Sequence, residues 1–409
     1  MTTLKTRDTD VFVTAKPGIT FDTADESWTI TTGVLVSGNK NDGVDGGDDQ
    51  QTLINQGSIL TDAFGVAMTG GHAAIVNSDD ARIIAVLAGV FADGVTVAID
   101  NRGTIASLTR DGIDFGSDST HVSLENSGSI SGRYSGVLFS SGAGGGDGGS
   151  LNNTGLIRAD HDGIVVFTAT GMTTTIVNAA TATIRGGQVA IEVEKGGISL
   201  DNHGTVVGNV DASSASDRDV VSNHGSITGA VFLGGGNDVF VGSGGMSGAV
   251  LGGDGDDQLT GGSGGDTLYG GAGADRLVGG GGNDQLDGGS GNDTLTGGRG
   301  RDRFFFRSDI SAGNNVDKIT DFNVHADKIV LGDRVFPGIG HLGVLPSGMF
   351  HIGAAAHDGN DHIIYNPSNG FLSYDANGNR PGGAVHFATL APHLALTHAD
   401  FLVTELPVS

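Results

Sequence analysis

The sequence predicts an all-β protein: a right-handed parallel β-helix, then a parallel β-roll, then a β-rich C-terminal cap. Three observations lead there. An Asn-x-Gly motif recurs at intervals of 21 to 27 residues through the first half. A nine-residue glycine and aspartate pattern then repeats six times from Gly252 to Phe305 without slipping phase. No stretch shows the 3.6-residue periodicity of an amphipathic helix. The expected units are 1–52 (N-terminal cap and first coil), 53–233 (parallel β-helix), 234–305 (nonapeptide roll) and 306–409 (C-terminal cap).

The β-helix follows from N-x-G-x-I/V, which appears at Asn55, Asn101, Asn126, Asn153, Asn202 and Asn223, with weaker copies at Asn77 and Asn178. About ten residues after most of these comes a Gly and a short apolar strand, as in 65–68, 112–115, 136–139 and 163–167. A period in the low twenties made of short strands is the signature of a solenoid whose coils stack. An Asn at the same place in every coil would form a ladder of amide hydrogen bonds from coil to coil. The stretch 38–49, rich in Asn, Asp and Gly, reads as a loop with room for an extra cation.

The roll follows from GGDGDDQLT, GGSGGDTLY, GGAGADRLV, GGGGNDQLD, GGSGNDTLT and GGRGRDRFF, all of the form G-G-x-G-x-D-x-U-x with U large and apolar. Glycine permits the positive φ of a sharp six-residue turn. The remaining three residues make a minimal strand with only U pointing inward: Leu259, Leu268, Leu277, Leu286, Leu295 and Phe304. Two nonapeptides complete a coil, so residues 18 apart stack at the strand spacing of about 4.8 Å. Asp257, Asp275 and Asp293 then lie on one edge, and Asp266, Asp284 and Asp302 on the other. Stacked carboxylates about 5 Å apart repel by roughly 3 kcal/mol per pair at an effective dielectric near 20. A divalent cation between turns reverses that term, and oxygen-only ligation selects Ca²⁺. The expected ion count is roughly four to six.

The nonapeptide resembles the calcium-binding repeat of RTX (repeats-in-toxin) proteins. Together with D-x-I-x-D-F from Asp317 to Phe322 and the terminal ADFLV at 399–403, it makes residues 252–409 similar to the C-terminal region of serralysin-type RTX proteins. The resemblance implies Ca²⁺ at the six repeat aspartates. The glycines Gly253, Gly255, Gly262, Gly264, Gly271, Gly273, Gly280, Gly282, Gly289 and Gly291 belong to the same metal sites. Asp238 does too, closing a half-formed nonapeptide. It also implies export from a Gram-negative cell by type I secretion machinery, through an uncleaved C-terminal signal. The chain continues past the apolar tetrapeptide with TELPVS, unlike many members. Ile319, Phe322, Ile329 and Leu331 are expected to cover the open end of the roll. Further on, strand pairs should turn at 367–370 and 375–378, and DANGN is read as a turn because Arg380 stands where an EF-hand loop requires Gly.

Composition narrows the function. The net charge of −26 argues against nucleic acid and anionic membrane surfaces, and only 5 of the 47 acidic residues are Glu. Asp is the shorter carboxylate, suited to turns and hard cations. The absence of Cys excludes disulfides and thiolate metal sites. The N-terminus lacks a secretory signal's apolar core, and the most apolar run, 83–92, is too short to span a membrane. No His precedes Glu, so the H-E-x-x-H metalloprotease motif is missing. GGSGG at 261–265 matches G-x-S-x-G only formally, since it lies in a repeat turn.

One catalytic candidate emerges when coils are aligned on the Gly before each strand. Arg110, Tyr134 and His161 fall in one column, with Asp111 and Asp162 beside it. Arg, Tyr, His and Asp together could neutralise a uronate carboxylate and move its α-proton. The N-terminal half resembles a pectate-lyase-like parallel β-helix, and polysaccharide lyases and mannuronan epimerases are similar to the whole plan, although ADHDG lacks the Pro that the epimerase signature carries between Asp and His. Against this, turns collect Asp-Gly and Asp-His for conformational reasons alone. The expectation is a secreted, extracellular calcium-binding protein with a surface, matrix or adhesion role. The alternative is a polyuronate lyase or epimerase whose partner is an extracellular polysaccharide.

Overall fold

The computed structural model describes residues 3–7, 9–13, 18–22, 25–38, 42–47, 49–140, 148–243, 245–246, 248–310 and 313–405. It is nearly all β, and its strands divide into two compact units. One comprises Met1–Phe232 with Gly245–Ser247, the other Leu233–Gly244 with Gly248–Ser409.

The first unit is a parallel β-solenoid. One ladder runs through Glu26–Ile30, Gln51–Asn55, His72–Asn77, Thr96–Asn101, His121–Asn126, Gly149–Asn153, Thr173–Asn178, Gly197–Asn202 and Val220–Asn223, every neighbouring pair parallel. Each later strand from Gln51–Asn55 on ends on the motif Asn, and these side chains form the expected ladder. Nδ2 of each donates to Oδ1 of the next at 2.7–2.9 Å, from Asn55 through 77, 101, 126, 153, 178 and 202 to Asn223. All eight amides are buried, so these bonds replace water that cannot reach them.

The motif Gly is required by proximity rather than by φ. A Cβ on Gly128 would collide with the Gly103 carbonyl of the preceding coil. The motif Ile or Val points inward. Ile59, Ile83, Ile105, Ile130, Ile157, Ile184, Val206 and Ile227 form a fully buried column. Coils at 24–27-residue spacing turn two further faces, for example Ser129–Gly132 and Ser135–Ser140. The long strand Thr183–Lys195 joins both faces in one element, with register shifts where it meets its neighbours.

Two expectations about the N-terminal end are corrected. Thr3–Arg7 already pairs parallel with Glu26–Ile30, and Val11–Val13 with Leu35–Gly38, so 1–52 contributes more than a cap and one coil. The stretch 38–49 contains the strand Val44–Gly46, paired with Val66–Met68, because Val44 is needed in the core. Asn39, Lys40, Asn41 and Asp48 of the stretch where an extra cation is expected lie outside the described residues.

The second unit stacks residues 18 apart, as the repeat predicts. Leu259, Leu277, Leu295 and Ile319 form one buried column; Val250, Leu268, Leu286, Phe304, Ile329 and Phe401 form the other. Ile319 and Ile329 therefore extend the roll by a further coil rather than covering its end. The cover comes later: Ala384–Thr389 pairs with Asp317–Ile319, and Phe401–Thr404 with Lys328–Gly332. Behind Ala384–Thr389, Phe371–Asp375 and Ile363–Asn366 form antiparallel pairs around the turns expected near 367–370 and 375–378. Phe306, Phe336, Tyr374 and Phe387 pack edge to face within this cap. The residues 406–409 of the terminal TELPVS lie outside the described residues.

Candidate functional site

The repeat aspartates are held alike. In five of the six, Oδ1 accepts a backbone N–H from the preceding coil: Asp257 from Asp238 at 2.9 Å, Asp275 from Asp257, Asp284 from Asp266 and Asp293 from Asp275 at 2.8 Å, and Asp302 from Asp284 at 3.0 Å. The other oxygen, Oδ2, is buried in Asp257, Asp266, Asp275, Asp284, Asp293 and Asp302, and none of these six atoms has a hydrogen-bond partner. The first Gly of each nonapeptide makes room for it, since a Cβ on Gly270 would collide with Asp275 Oδ2. Turn glycines such as Gly273 (φ 136°) and Gly291 (φ 134°) occupy the left-handed region that a side chain would strain. Gly264, alone among the glycines named for the metal sites, is not in that region.

Burial and crowding raise these carboxyls. Asp275 is pushed up to about 7, first by burial and then by Asp293, Asp257 and Asp256; Asp257 and Asp302 are pushed up to about 6, again chiefly by burial. Asp266, Asp284 and Asp293 move in the same direction for the same first reason. A buried carboxylate oxygen without a donor is costly unless a cation or a proton meets it. Six such oxygens on successive turns fit a hard cation that takes carboxylates and backbone carbonyls. When bound, Ca²⁺ supplies the positive charge that lets adjacent coils approach.

The sequence reading missed two members of this series. Asp293 donates its backbone N–H to Asp317 Oδ1 at 3.2 Å, and Asp302 to Asp327 Oδ1 at 3.0 Å. Asp317 is pushed up to about 8, by burial and then by the charge on Asp293. Both lie past the glycine repeat, and their only signal is a place 24 or 25 residues beyond the aspartate they serve. The polar residue just before Asp238, Asp257, Asp284 and Asp293 was also missed. Asn237, Asp256, Asn283 and Asn292 each accept a backbone N–H from the next coil, at 2.8–3.1 Å.

In the first unit the candidate triplets do stack. Tyr134 donates its N–H to Arg110 O at 3.1 Å, His161 to Arg133 O at 3.1 Å and Asp162 to Tyr134 O at 2.8 Å. The Tyr134 and His161 rings lie 5.3 Å apart, centroid to centroid, with Tyr134 exposed. The two carboxylates are engaged in holding turns. Asp111 is buried and accepts from the Ser135 N–H and hydroxyl, and Asp162 accepts from Val189 N at 3.2 Å. The Arg110 charge acts on Asp114, which burial nevertheless pushes up to about 6. Glu192, not singled out from sequence, is pushed up to about 7 by burial and then by Asp211, Asp162 and Glu194.

Beside this column runs a groove of about 740 Å³ lined by Arg133, Arg158 and Arg185 with Leu108, Ser131 and Asp160. Arg158 and Arg185 are partners in parallel register, each directly after an inward Ile. Aligning coils on that Ile instead of on Gly would have revealed them. No ion pair occupies these three guanidinium groups among the described residues.

A parallel β-solenoid with a roll of stacked glycine turns and buried, cation-seeking aspartates is the class that fold and site define. The RTX calcium-binding nonapeptide repeat, in four copies, matches residues 251–286 and 278–309. The chain therefore carries RTX repeats, which bind Ca²⁺ at multiple sites. Among solved structures, the chain is similar to two repeat subunits of the mannuronan C5-epimerase of Azotobacter vinelandii. The AlgE6 R3 subunit is 29% identical, covering 36% of this chain and 78% of that one, with a TM-score of 0.27. The AlgE6 R2 subunit is 29% identical, covering 39% and 96%, with a TM-score of 0.29. No curated protein is similar enough in sequence to match the chain. No helix among the described residues is long and apolar enough to cross a membrane.

Proposed function

We propose that this is a secreted RTX protein, exported unfolded by type I secretion machinery from a Gram-negative cell and folded by Ca²⁺ outside it, with a surface, matrix or adhesion role. The observation that carries the reading is the set of six buried, partnerless Oδ2 atoms on successive turns of the roll. Binding free energy becomes folding free energy where the unfolded chain has no site. Scarce cytosolic Ca²⁺ keeps the chain exportable, and millimolar Ca²⁺ outside lets weak extracellular-type sites fill. The test is far-ultraviolet circular dichroism of the chelated protein during Ca²⁺ addition, alongside secretion of a variant ending before Phe401. A cooperative gain of β signal and retention of the truncated chain in the cell are expected. A spectrum indifferent to Ca²⁺ would refute the folding part, and undiminished secretion the export part.

The arginine groove favours a second reading, a polyuronate lyase or epimerase. Three guanidinium groups on one groove suit a polymer of carboxylates despite the net charge of −26. Exposed Tyr134 and half-buried His161, on neighbouring coils beside it, are the available proton carriers. Proton NMR of alginate or pectate incubated with calcium-loaded protein tests this. New unsaturated or inverted uronate signals, lost in His161→Ala, would establish the enzyme. Unchanged spectra with polymer retention lost in Arg158→Ala/Arg185→Ala would favour adhesion to the same polymer.

A further inference from the structure

The two copies of the Asn motif that carry His, NHGTV at 202–206 and NHGSI at 223–227, are neighbours in the stack. The residue after the ladder Asn is Gln56, Ser78, Arg102, Ser127, Thr154 or Ala179 in the earlier coils, so along this ladder two imidazoles fall side by side only at these two coils. The backbone under them is fixed. His203 N donates to Asn178 O at 2.8 Å, His224 N to Asn202 O at 2.7 Å, and Asn202 Nδ2 to Asn223 Oδ1 at 2.7 Å. The rings stack with centroids 4.8 Å apart at 28°. Asp201, one residue before the ladder Asn, sets Oδ1 3.1 Å from His203 Nε2. One ligand atom from each of Asp201, His203 and His224 lies within 4.8 Å of the other two.

We propose that Asp201, His203 and His224 form a second kind of metal site, for a divalent d-block cation such as Zn²⁺ rather than Ca²⁺. Two neutral imidazoles and one carboxylate suit a borderline cation at bond lengths of about 2.0–2.2 Å, whereas Ca²⁺ takes six to eight oxygens. The distances shown need only rotation of half-exposed side chains, because the coil spacing already brings the Cα atoms together. Three protein ligands leave a coordination position open to water or to a group on a partner. The site is independent of the export and polysaccharide readings, since it uses no residue of either.

The experiment is calorimetric titration of Zn²⁺ into the full-length, calcium-saturated protein, repeated with Co²⁺ and followed by visible absorption. One equivalent is expected with a dissociation constant of about 10 µM or tighter. Co²⁺ should give ligand-field bands of a low-coordinate nitrogen and oxygen site. His203→Gln and His224→Gln should each weaken binding at least tenfold and together remove that equivalent, with an unchanged circular dichroism spectrum. His357→Ala, in the separate His357, Asp358 and Asp361 group, should leave it intact. No saturable Zn²⁺ binding, or a stoichiometry unchanged by the double substitution, overturns the proposal.

Discussion

Asp275 keeps one carboxylate oxygen on the Asp257 amide and leaves the other buried without a partner. Replacing it with Asn keeps the shape and the hydrogen bond but removes the charge that a cation needs. The Ca²⁺ midpoint of folding should rise by at least the roughly 10–100-fold that outer-shell metal partners are worth. A Ca²⁺ titration of Asp275→Asn matching the parent would show that the residue is not a ligand. Proton linkage makes a second prediction at this scale. Without Ca²⁺, the Asp257, Asp275 and Asp302 carboxyls of the folded roll are raised to about 6, 7 and 6 from 3.8. The folded state then binds more protons than the unfolded one, so their contribution is fully present below the unfolded value and is lost as pH rises towards 7. In chelator, acidification from about pH 8 to about pH 5 should recover β signal, while the Ca²⁺ affinity of the folded roll falls because protons compete for the same oxygens. A calcium-free spectrum independent of pH would contradict this.

Among elements, the Asn ladder and the leucine columns carry different kinds of stability. Asn126 both donates to Asn153 and accepts from Asn101, with no water within reach. Asn126→Ala should cost roughly 2–5 kcal/mol, the desolvation of two orphaned partners. Asn55→Ala, at the ladder's first rung, removes one ladder bond together with the bonds to Arg82 O and from Gly57 N, and should cost about as much. A far smaller loss at Asn55 than at Asn126 in chemical denaturation would mean that the local bonds contribute little beside the ladder. In the roll, Leu277→Ala empties a fully buried position between Leu259 and Leu295 and should cost roughly 2–5 kcal/mol in the calcium-loaded state. Because this substitution spares every carboxylate, the number of Ca²⁺ ions bound at saturation should not change, which equilibrium dialysis would check.

For the molecule as a whole, the two units answer to different conditions. The first holds its coils by an apolar column and buried amides, neither of which needs an ion. The second sets carboxylates over one another and depends on Ca²⁺. Hydrogen exchange in chelator should therefore strip protection from 248–332 while leaving the strands between Gln51 and Asn223 protected. Loss of protection in both together would show that the first unit also depends on calcium.

The sequence by itself determined the two periods, the strand register and the inward residues, since a side chain recurring at fixed phase in a solenoid must meet its own copies. The Asn ladder and the 18-residue stacking were legible for that reason, and so was the placing of six aspartates on two edges. Tertiary structure decided what lies off phase. Asp317 and Asp327 extend the aspartate series only because Asp317–Ile319 and Lys328–Gly332 stack on the roll after an interval of unequal length. Arg158 and Arg185 share a groove, and His203 and His224 a face, because coils of 27 and 21 residues return to the same place in space. Loop length sets a residue's number without changing its position in the coil, so counting along the chain hid contacts that the stacked backbone makes unavoidable.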